Sequence, residues 1–451
     1  MTGAVPDMRP ARNRPATVLF ASLIGTTIEF FDFYIYATAA VLVFPKLFFP
    51  TSDAAAATLQ SLATFAIAFF ARPVGSAVFG HFGDRIGRKA TLVAALLTMG
   101  ISTVVIGLLP TYASIGTLAP LLLALCRFGQ GLGLGGEWGG AVLLATENAP
   151  PGKRAWYGMF PQLGAPIGFF LSSGVFLLLS GTLSDAEFLR YGWRIPFLAS
   201  SLLVLVGLYV RLKITETPDF QAVLDRNERV KLPVAAVFAN HTRALVLGTL
   251  AALATFVVFY LMTVFALSWG TSALGYSRQQ FLLLQLGAIL FFGLTIPIAA
   301  VLADRHGRRA AMILVSVGLA LFGLLFQPLF GSGNPALVAL FLVLGQCLIG
   351  LTYGPLGTLL SELFPPEVRY TGASLTFNLA GILGASLAPY AATWLATNYG
   401  LQTVGWYLSV ASLISLAALL LTAPATRDTS VISLAALLLT APATRGTVAA
   451  R

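Results

Sequence analysis

The sequence predicts an all-α membrane protein: twelve transmembrane helices in two pseudo-symmetric six-helix bundles. Three observations predict it. The chain is 57% hydrophobic and only 10% charged, with a mean hydropathy of +0.85, a composition foreign to soluble domains. Apolar runs of about 20 residues, the length needed to cross a hydrocarbon core, recur along nearly all of it. And motifs in the first half return at equivalent places in the second.

The runs fall at 17–44, 58–80, 90–110, 118–146, 156–180, 194–212, 244–269, 280–303, 310–330, 336–361, 371–396 and 402–424. Period-two alternation is absent, which argues against an outer-membrane barrel. The net charge of +10 reports topology rather than a polyanionic partner. With the N-terminus inside, the basic residues cluster on the cytoplasmic side, at 9–14, 85–89, 153–154, 211–243 (Arg211 and Arg243 included), 305–309, 369 and in the tail. The opposite side holds only Lys46, Arg190, Arg194 and Arg278. That is the positive-inside bias, and it places both termini in the cytoplasm. Cys126 and Cys347 lie within spans and read as small buried core residues, not a disulfide framework. The first 16 residues lack the apolar h-region of a cleaved signal peptide.

Two pairs of segments reveal the repeat. "GHFGDRIGRKA" at 80–90 returns as "AVLADRHGRRA" at 300–310, and "ENAPPGKR" at 147–154 returns as "ELFPPEVR" at 362–369. The expected organisation is a cytoplasmic N-terminal segment 1–16, a bundle over 17–212, a cytoplasmic linker 213–243, a second bundle over 244–426 and a cytoplasmic tail 427–451. Such duplications point to transporters built from two bundles around a midplane site. A different repeat, "ISLAALLLTAPATR", occupies 414–427 and 432–445. Its 18-residue period matches no solenoid unit, and the apolar stretch 431–439 is too short to span, so the tail reads as an interfacial or disordered extension.

The duplicated turn has a mechanical reading as a gate. Gly80 opens the first copy; Asp84 and Asp304 are expected just after a helix end, with Gly87 and Gly307 allowing the reversal. Arg85, Arg88 and Lys89, and in the second copy Arg305, Arg308 and Arg309, can meet helix C-terminal carbonyls or an acidic neighbour. Glu147 and Glu362, before their Pro-Pro pairs, are assigned to the same gate.

The pattern G-x-x-x-D-R-x-G-R-K/R after spans two and eight resembles the major facilitator superfamily over residues 17–426, the second copy departing by Ala300 in place of Gly80. "GTTIEFFDFYIY" in span one, "RFGQGLGLGGEWGGAVLLATE" in span four, "FYLMTVFALSWGTSALGYS" in span seven and "SELFPPEVRYTGASL" after span ten resemble its metabolite:proton symporters, whose members carry shikimate, 2-oxoglutarate, citrate, proline or betaine. The resemblance implies the major facilitator fold, alternating access and uptake driven by a proton gradient. It also marks Glu137 and Trp138 as signature residues, and Glu137 is expected in the inner latch with Arg88 or Arg72.

The repeat sorts the charges, because features shared by both halves belong to the scaffold and features of one half are candidates for chemistry. Glu29 and Asp32 face Thr255 and Val258 in the second half, and Arg127 faces Leu342. At 1.5 Å per residue, Glu29 and Asp32 lie about 18 and 22 Å from the inner edge and Arg127 roughly 13 Å from the outer one. Each such charge costs about 2.5–3.5 kcal/mol at the bilayer centre, which disfavours a lipid-facing placement and leaves, beside a functional role, a buried ion pair such as Asp32 with Arg127 that only pins two helices. Desolvation raises a carboxylate's pKa and a nearby arginine lowers it. Glu29 and Asp32 are therefore the candidates for proton coupling; depth favours Glu29 as carrier and Asp32 as partner of Arg127. The bidentate fork of Arg127 suits a substrate carboxylate. Tyr34, Gln130, Tyr260 and Tyr353 are the further substrate-binding candidates, and Tyr36, Gln162, Trp269, Gln346 and Asn378 could line the same cavity.

The expected function is proton-coupled uptake of a small organic metabolite, a carboxylate above all, through the cell inner membrane. The alternatives are a proton-coupled exporter of drug-like compounds and a non-transporting membrane sensor using the carrier fold. Exporters of that superfamily carry a Gly-Pro-x-x-Gly-Gly stretch in span five, which "QLGAPIGFF" resembles only in part, and this favours uptake; for the sensor, no signalling domain is seen. The three histidines, His81, His241 and His306, show no metal-ligand spacing, and no catalytic motif occurs; neither catalytic nor metal-ligating residues are assigned. No cofactor is expected, the proton gradient being the energy source. The expected partners are substrate, protons and the lipid bilayer, without nucleic acid, and the expected state is a monomer.

Overall fold

The structure is a computed structural model that describes residues 15–51, 53–86, 88–213, 233–365 and 368–422, without the side chains of 15, 80–90, 147, 213 and 233. Among the described residues, twelve helices are long and apolar enough to cross a membrane: α1 Ala16–Leu42, α2 Ala54–Phe79, α3 Thr91–Leu108, α4 Leu118–Thr146, α5 Arg154–Thr182, α6 Arg194–Leu212, α7 Thr242–Ser272, α8 Arg278–His306, α9 Arg308–Phe330, α10 Pro335–Glu362, α11 Arg369–Tyr399 and α12 Leu401–Leu421. Each lies within four residues of the run that predicted it. The linker segment also holds a short helix, Pro233–Asn240.

Burial separates the inner helices from the outer ones. The apolar windows of α7 and α1 are 89% and 78% buried and that of α6 only 33%. Leu202 and Leu205 on α6, like Leu294 and Ile298 on α8, turn their side chains outward, as lipid-facing rows must. Close approach inside the N-terminal bundle depends on missing Cβ atoms. One added at Gly75 of α2 would collide with the Leu132 carbonyl of α4, and one at Gly135 of α4 with the Arg72 carbonyl of α2.

The central helices are not regular throughout. α7 contains a π-helical turn at Leu261–Phe265, which leaves carbonyls without their usual partners. Gln285 of α8 meets them: its Nε2 donates to the carbonyls of Met262 (3.0 Å) and Thr263 (2.9 Å). α4 breaks into Leu118–Gly135 and Trp138–Glu147, with Glu137 at the break.

The two bundles meet along α5 against α8 and α2 against α11. On the face carrying the ends of the chain described, the seam is held by Asp304. Its two carboxylate oxygens accept from the backbone amides of Ala155 (3.0 Å) and Trp156 (2.9 Å), the first turn of α5. Tyr370 donates to the Gly136 carbonyl (2.8 Å), Asn378 donates to Ser76 Oγ (2.7 Å), and the Trp138 and Phe377 rings stack with centroids 3.7 Å apart. At the opposite face Arg278 pairs with Asp185 and lies over the Phe188 ring. A capping box presents that aspartate: Ser184 donates to Glu187 through both its amide and its hydroxyl, which holds the Glu187 carboxyl below the usual range. The bundles are thus bridged at both faces.

Candidate functional site

The charges singled out in the first half converge, but not by direct pairing. Arg127 is fully buried, and its guanidinium lies over the rings of Tyr36 (4.1 Å), Phe33 (4.8 Å) and Phe65 (4.8 Å). It forms no ion pair with Asp32, so the expected contact is corrected to a chain of neutral side chains. Arg127 Nη1 donates to Gln130 Oε1 (3.0 Å), Gln130 Nε2 donates to Thr103 Oγ1 (2.8 Å), and Thr103 Oγ1 donates to Asp32 Oδ2 (3.0 Å). Ser200 Oγ donates to the other oxygen of Asp32 (2.5 Å). The one-turn spacing of Arg127 and Gln130 puts both on one face of α4; α3 supplies Thr103 and α6 supplies Ser200. Every member of the chain is at most 1% exposed, so each hydrogen bond is made without competition from water.

Glu29 has a different setting. It is 3% exposed, accepts no hydrogen bond among the described residues, and its Oε2 is buried without a partner. The cations acting on it are Arg72 and Arg211. Arg211 is not a loop charge marking topology, as its position suggested. It is buried at the end of α6, pairs with Glu137 and donates to the Leu92 carbonyl. Glu137 therefore pairs with Arg211 rather than with Arg72, while the side chain of Arg88, the other partner expected for it, lies outside the described residues. The pair sits against Gly25, one turn of α1 from Glu29, where an added Cβ would stand 3.1 Å from Arg211 Nη2.

The tyrosines assemble with the phenylalanines at the centre of the seam. Tyr34 packs on Phe169 and Phe259, Tyr353 on Phe259 and Phe292, and Tyr260 on Phe33, Phe65 and Phe69. The Tyr34 hydroxyl, Trp269 Nε1 and both amide atoms of Gln346 are buried without a hydrogen-bond partner. The other cavity candidates make interhelical bonds instead: Tyr36 to Thr64, Gln162 to the Tyr353 carbonyl, and Asn378 to Ser76.

Of the gate residues, the second copy is described in full. Gly307 takes φ +96°, the conformation its place in the reversal requires. Asp304, however, does not follow the helix end but lies in the last turn of α8. Arg308 sits 3.1 Å from Asp304 and 3.6 Å from Glu362, and Arg305 joins them in lining a cleft of about 340 Å³ with Arg154. Arg309 turns away to the carbonyls of Leu419 and Leu420, the C-terminus of α12. In the first copy the helix of α2 continues to Ile86, so Asp84 too is helical. Gly87, the side-chain settings of Gly80, Asp84, Arg85, Arg88, Lys89 and Glu147, and the tail 427–451 lie outside the described residues. Cys126 and Cys347 are free and half-buried rather than core residues.

Sequence reasoning missed Thr103, Ser200 and the role of Arg211. Hydroxyls in an apolar helix carry no periodic signal. Only Arg211, basic at a span's end and matched by an acid deep in another, could have been flagged.

Comparison with known proteins places this geometry. The description "Sugar (and other) transporter" matches residues 17–237 and "Major Facilitator Superfamily" matches 247–445. The chain is 63% identical over 410 residues to an inner membrane metabolite transport protein, YhjE, of Escherichia coli, covering 90% of this chain and 93% of that one. It is 36% identical over 420 residues to the shikimate transporter of the same organism (92% and 96% covered). It is 33% identical over 406 residues to the proline/betaine transporter of Salmonella typhimurium (88% and 81% covered). The proton:xylose symporter XylE has the same fold, with a TM-score of 0.74 at 18% identity over 94% of this chain and 98% of that one. Six helices and six, a duplicated turn at the seam and these relatives make the chain a member of the major facilitator superfamily, in its metabolite:proton symporter subfamily.

Proposed function

We propose that the chain takes up a small organic carboxylate together with protons, by alternating access across the inner membrane, with both termini and the Asp304 face in the cytoplasm. The observation that carries the reading is the buried chain from Arg127 through Gln130 and Thr103 to Asp32. Arg127 keeps one nitrogen, Nη2, without a partner, and a carboxylate supplies the acceptor it lacks. Drawing the guanidinium toward that anion weakens its hold on Gln130, and the change reaches Asp32 through two hydroxyl and amide contacts.

The proton is taken up at Glu29. Its carboxylate has no hydrogen bond to give up, whereas Asp32 would have to rearrange two. Glu29, Asp32, Arg72 and Arg127 are four buried charges that cancel; an entering anion upsets the balance by one and one proton restores it, which lets the loaded carrier reorient without moving net charge through a low-dielectric seam. Similarity to a shikimate transporter supports the substrate class, and the positive-inside distribution supports the orientation.

The test is accumulation of labelled organic acids in membrane vesicles with and without a collapsed proton gradient, in wild type, Glu29→Gln and Asp32→Asn. The expected result is gradient-dependent accumulation that Glu29→Gln abolishes while exchange of substrate across the membrane continues. Full gradient-driven accumulation in both variants would falsify the coupling role.

A further inference from the structure

Among the described residues three arginines are buried in the N-terminal bundle, and they are not equivalent. Arg211 has an acid partner in Glu137 and a backbone acceptor in Leu92. Arg127 has a neutral amide and, at 3.4 Å, the Phe65 carbonyl, with Nη2 left over. Arg72 of α2, 4% exposed, has no hydrogen bond and no ion pair among the described residues; it lies over the rings of Phe69 (5.0 Å) and Phe33 (5.3 Å), and its Nε is buried without a partner. Arg127 approaches that same Phe33 ring to 4.8 Å. Two guanidinium groups with unfilled donors therefore lean on one aromatic ring of α1, one turn from Glu29.

A guanidinium has five donors and no acceptor. Ring stacking satisfies none of them, and Glu29, the anion whose field Arg72 feels, makes no hydrogen bond to it, so the buried Arg72 donor lowers stability unless a ligand supplies an acceptor. In the register set by the duplicated turn, Phe292 stands opposite Arg72, so this cation, like Arg127, belongs to one half only. Neither a latch nor the scaffold uses it.

We propose that Arg72 and Arg127 together seat the carboxylate of the substrate against the ring of Phe33. The inference rests on the carboxylate reading above and adds a second binding residue to it. A carboxylate has two oxygens and about four acceptor positions, enough for one guanidinium at each oxygen. Glu29 then loses Arg72 as a counter-charge at the moment the substrate arrives, which places proton uptake at the same step as binding.

The experiment is thermal melting of the purified full-length protein in detergent, with shikimate, succinate and glycine betaine as probes, comparing wild type with Arg72→Met and Arg72→Lys. Without ligand, Arg72→Met is expected to melt at or above wild type, because no hydrogen bond or ion pair is lost. An acid that raises the wild-type melting temperature is expected to need at least about tenfold higher concentration in Arg72→Met, with part of the shift restored in Arg72→Lys. Should an acid shift wild type and Arg72→Met at equal concentrations, or should unliganded Arg72→Met and Arg72→Lys both melt clearly below wild type, this inference fails while the carboxylate reading stands. If neither acid shifts the wild type, the carboxylate reading fails and takes this inference with it.

Discussion

The two bundles share a backbone plan and divide the labour. The first buries Glu29, Asp32, Arg72, Arg127, Glu137 and Arg211, whereas the second buries no charged side chain among the described residues. Where the first half has Arg72 and Arg127, the second has Phe292 and Leu342. Its buried polar groups are amides and hydroxyls, Gln285, Gln346 and Asn378 among them. Duplication supplies two equal scaffolds, and membrane energetics bears on their divergence: every intramembrane charge must find a partner or a function, and here the buried charges are concentrated in one bundle while the buried polar groups of the other are neutral.

The comparison can be broken at its strongest point by Arg211→Ala. That change leaves Glu137 buried and unpaired, and the expected destabilisation is about 3–5 kcal/mol, read as a lowered melting temperature and a loss of monodisperse protein on gel filtration. Replacing both partners by apolar residues should recover most of it. If Arg211→Ala melts like wild type, the charges of the first half are not an interdependent network.

In the second bundle the opposite sign is expected. Gln346 buries an amide with neither atom paired, so Gln346→Leu should raise the melting temperature, by an increment of about 1–3 kcal/mol, and should weaken substrate binding if the amide faces the site. A lowered melting temperature would show that this residue is structural and would blur the division. The smallest effect belongs to the seam. Asp304→Asn keeps an acceptor for only one of the amides of Ala155 and Trp156, turns an NH2 donor toward the other and removes the charge at a helix N-terminus, together about 1–2 kcal/mol. The expected outcome is a wider population of distances between spin labels at positions 152 and 240, with the melting temperature slightly lowered.

How much of this could be read from the sequence follows from the same physics. Span positions are set by hydrophobic length, which the sequence states directly, and the internal repeat exposed the duplicated turn, with Gly307 at its left-handed reversal. Depth counting found Glu29, Asp32 and Arg127 because an intramembrane charge stands out against an apolar background. What it could not supply was the partner. Whether Arg127 reaches Asp32 directly or through Gln130 and Thr103 depends on the rotation of α3 and α4 about their axes. The burial of Arg211 was hidden for a related reason: at the end of a span, a topology marker and a buried counter-ion look alike. The continuation of α2 to Ile86 was missed because the motif's glycines suggested an earlier stop.

The bond between Asp304 and the first turn of α5 has a genetic consequence. Its acid is a side chain, but its donors are main-chain amides, and no ordinary substitution at residues 155 or 156 deletes an amide hydrogen; only proline does. A selection for carriers that leak through this face should therefore return many alleles at codon 304 and, at the two receiving codons, proline alone.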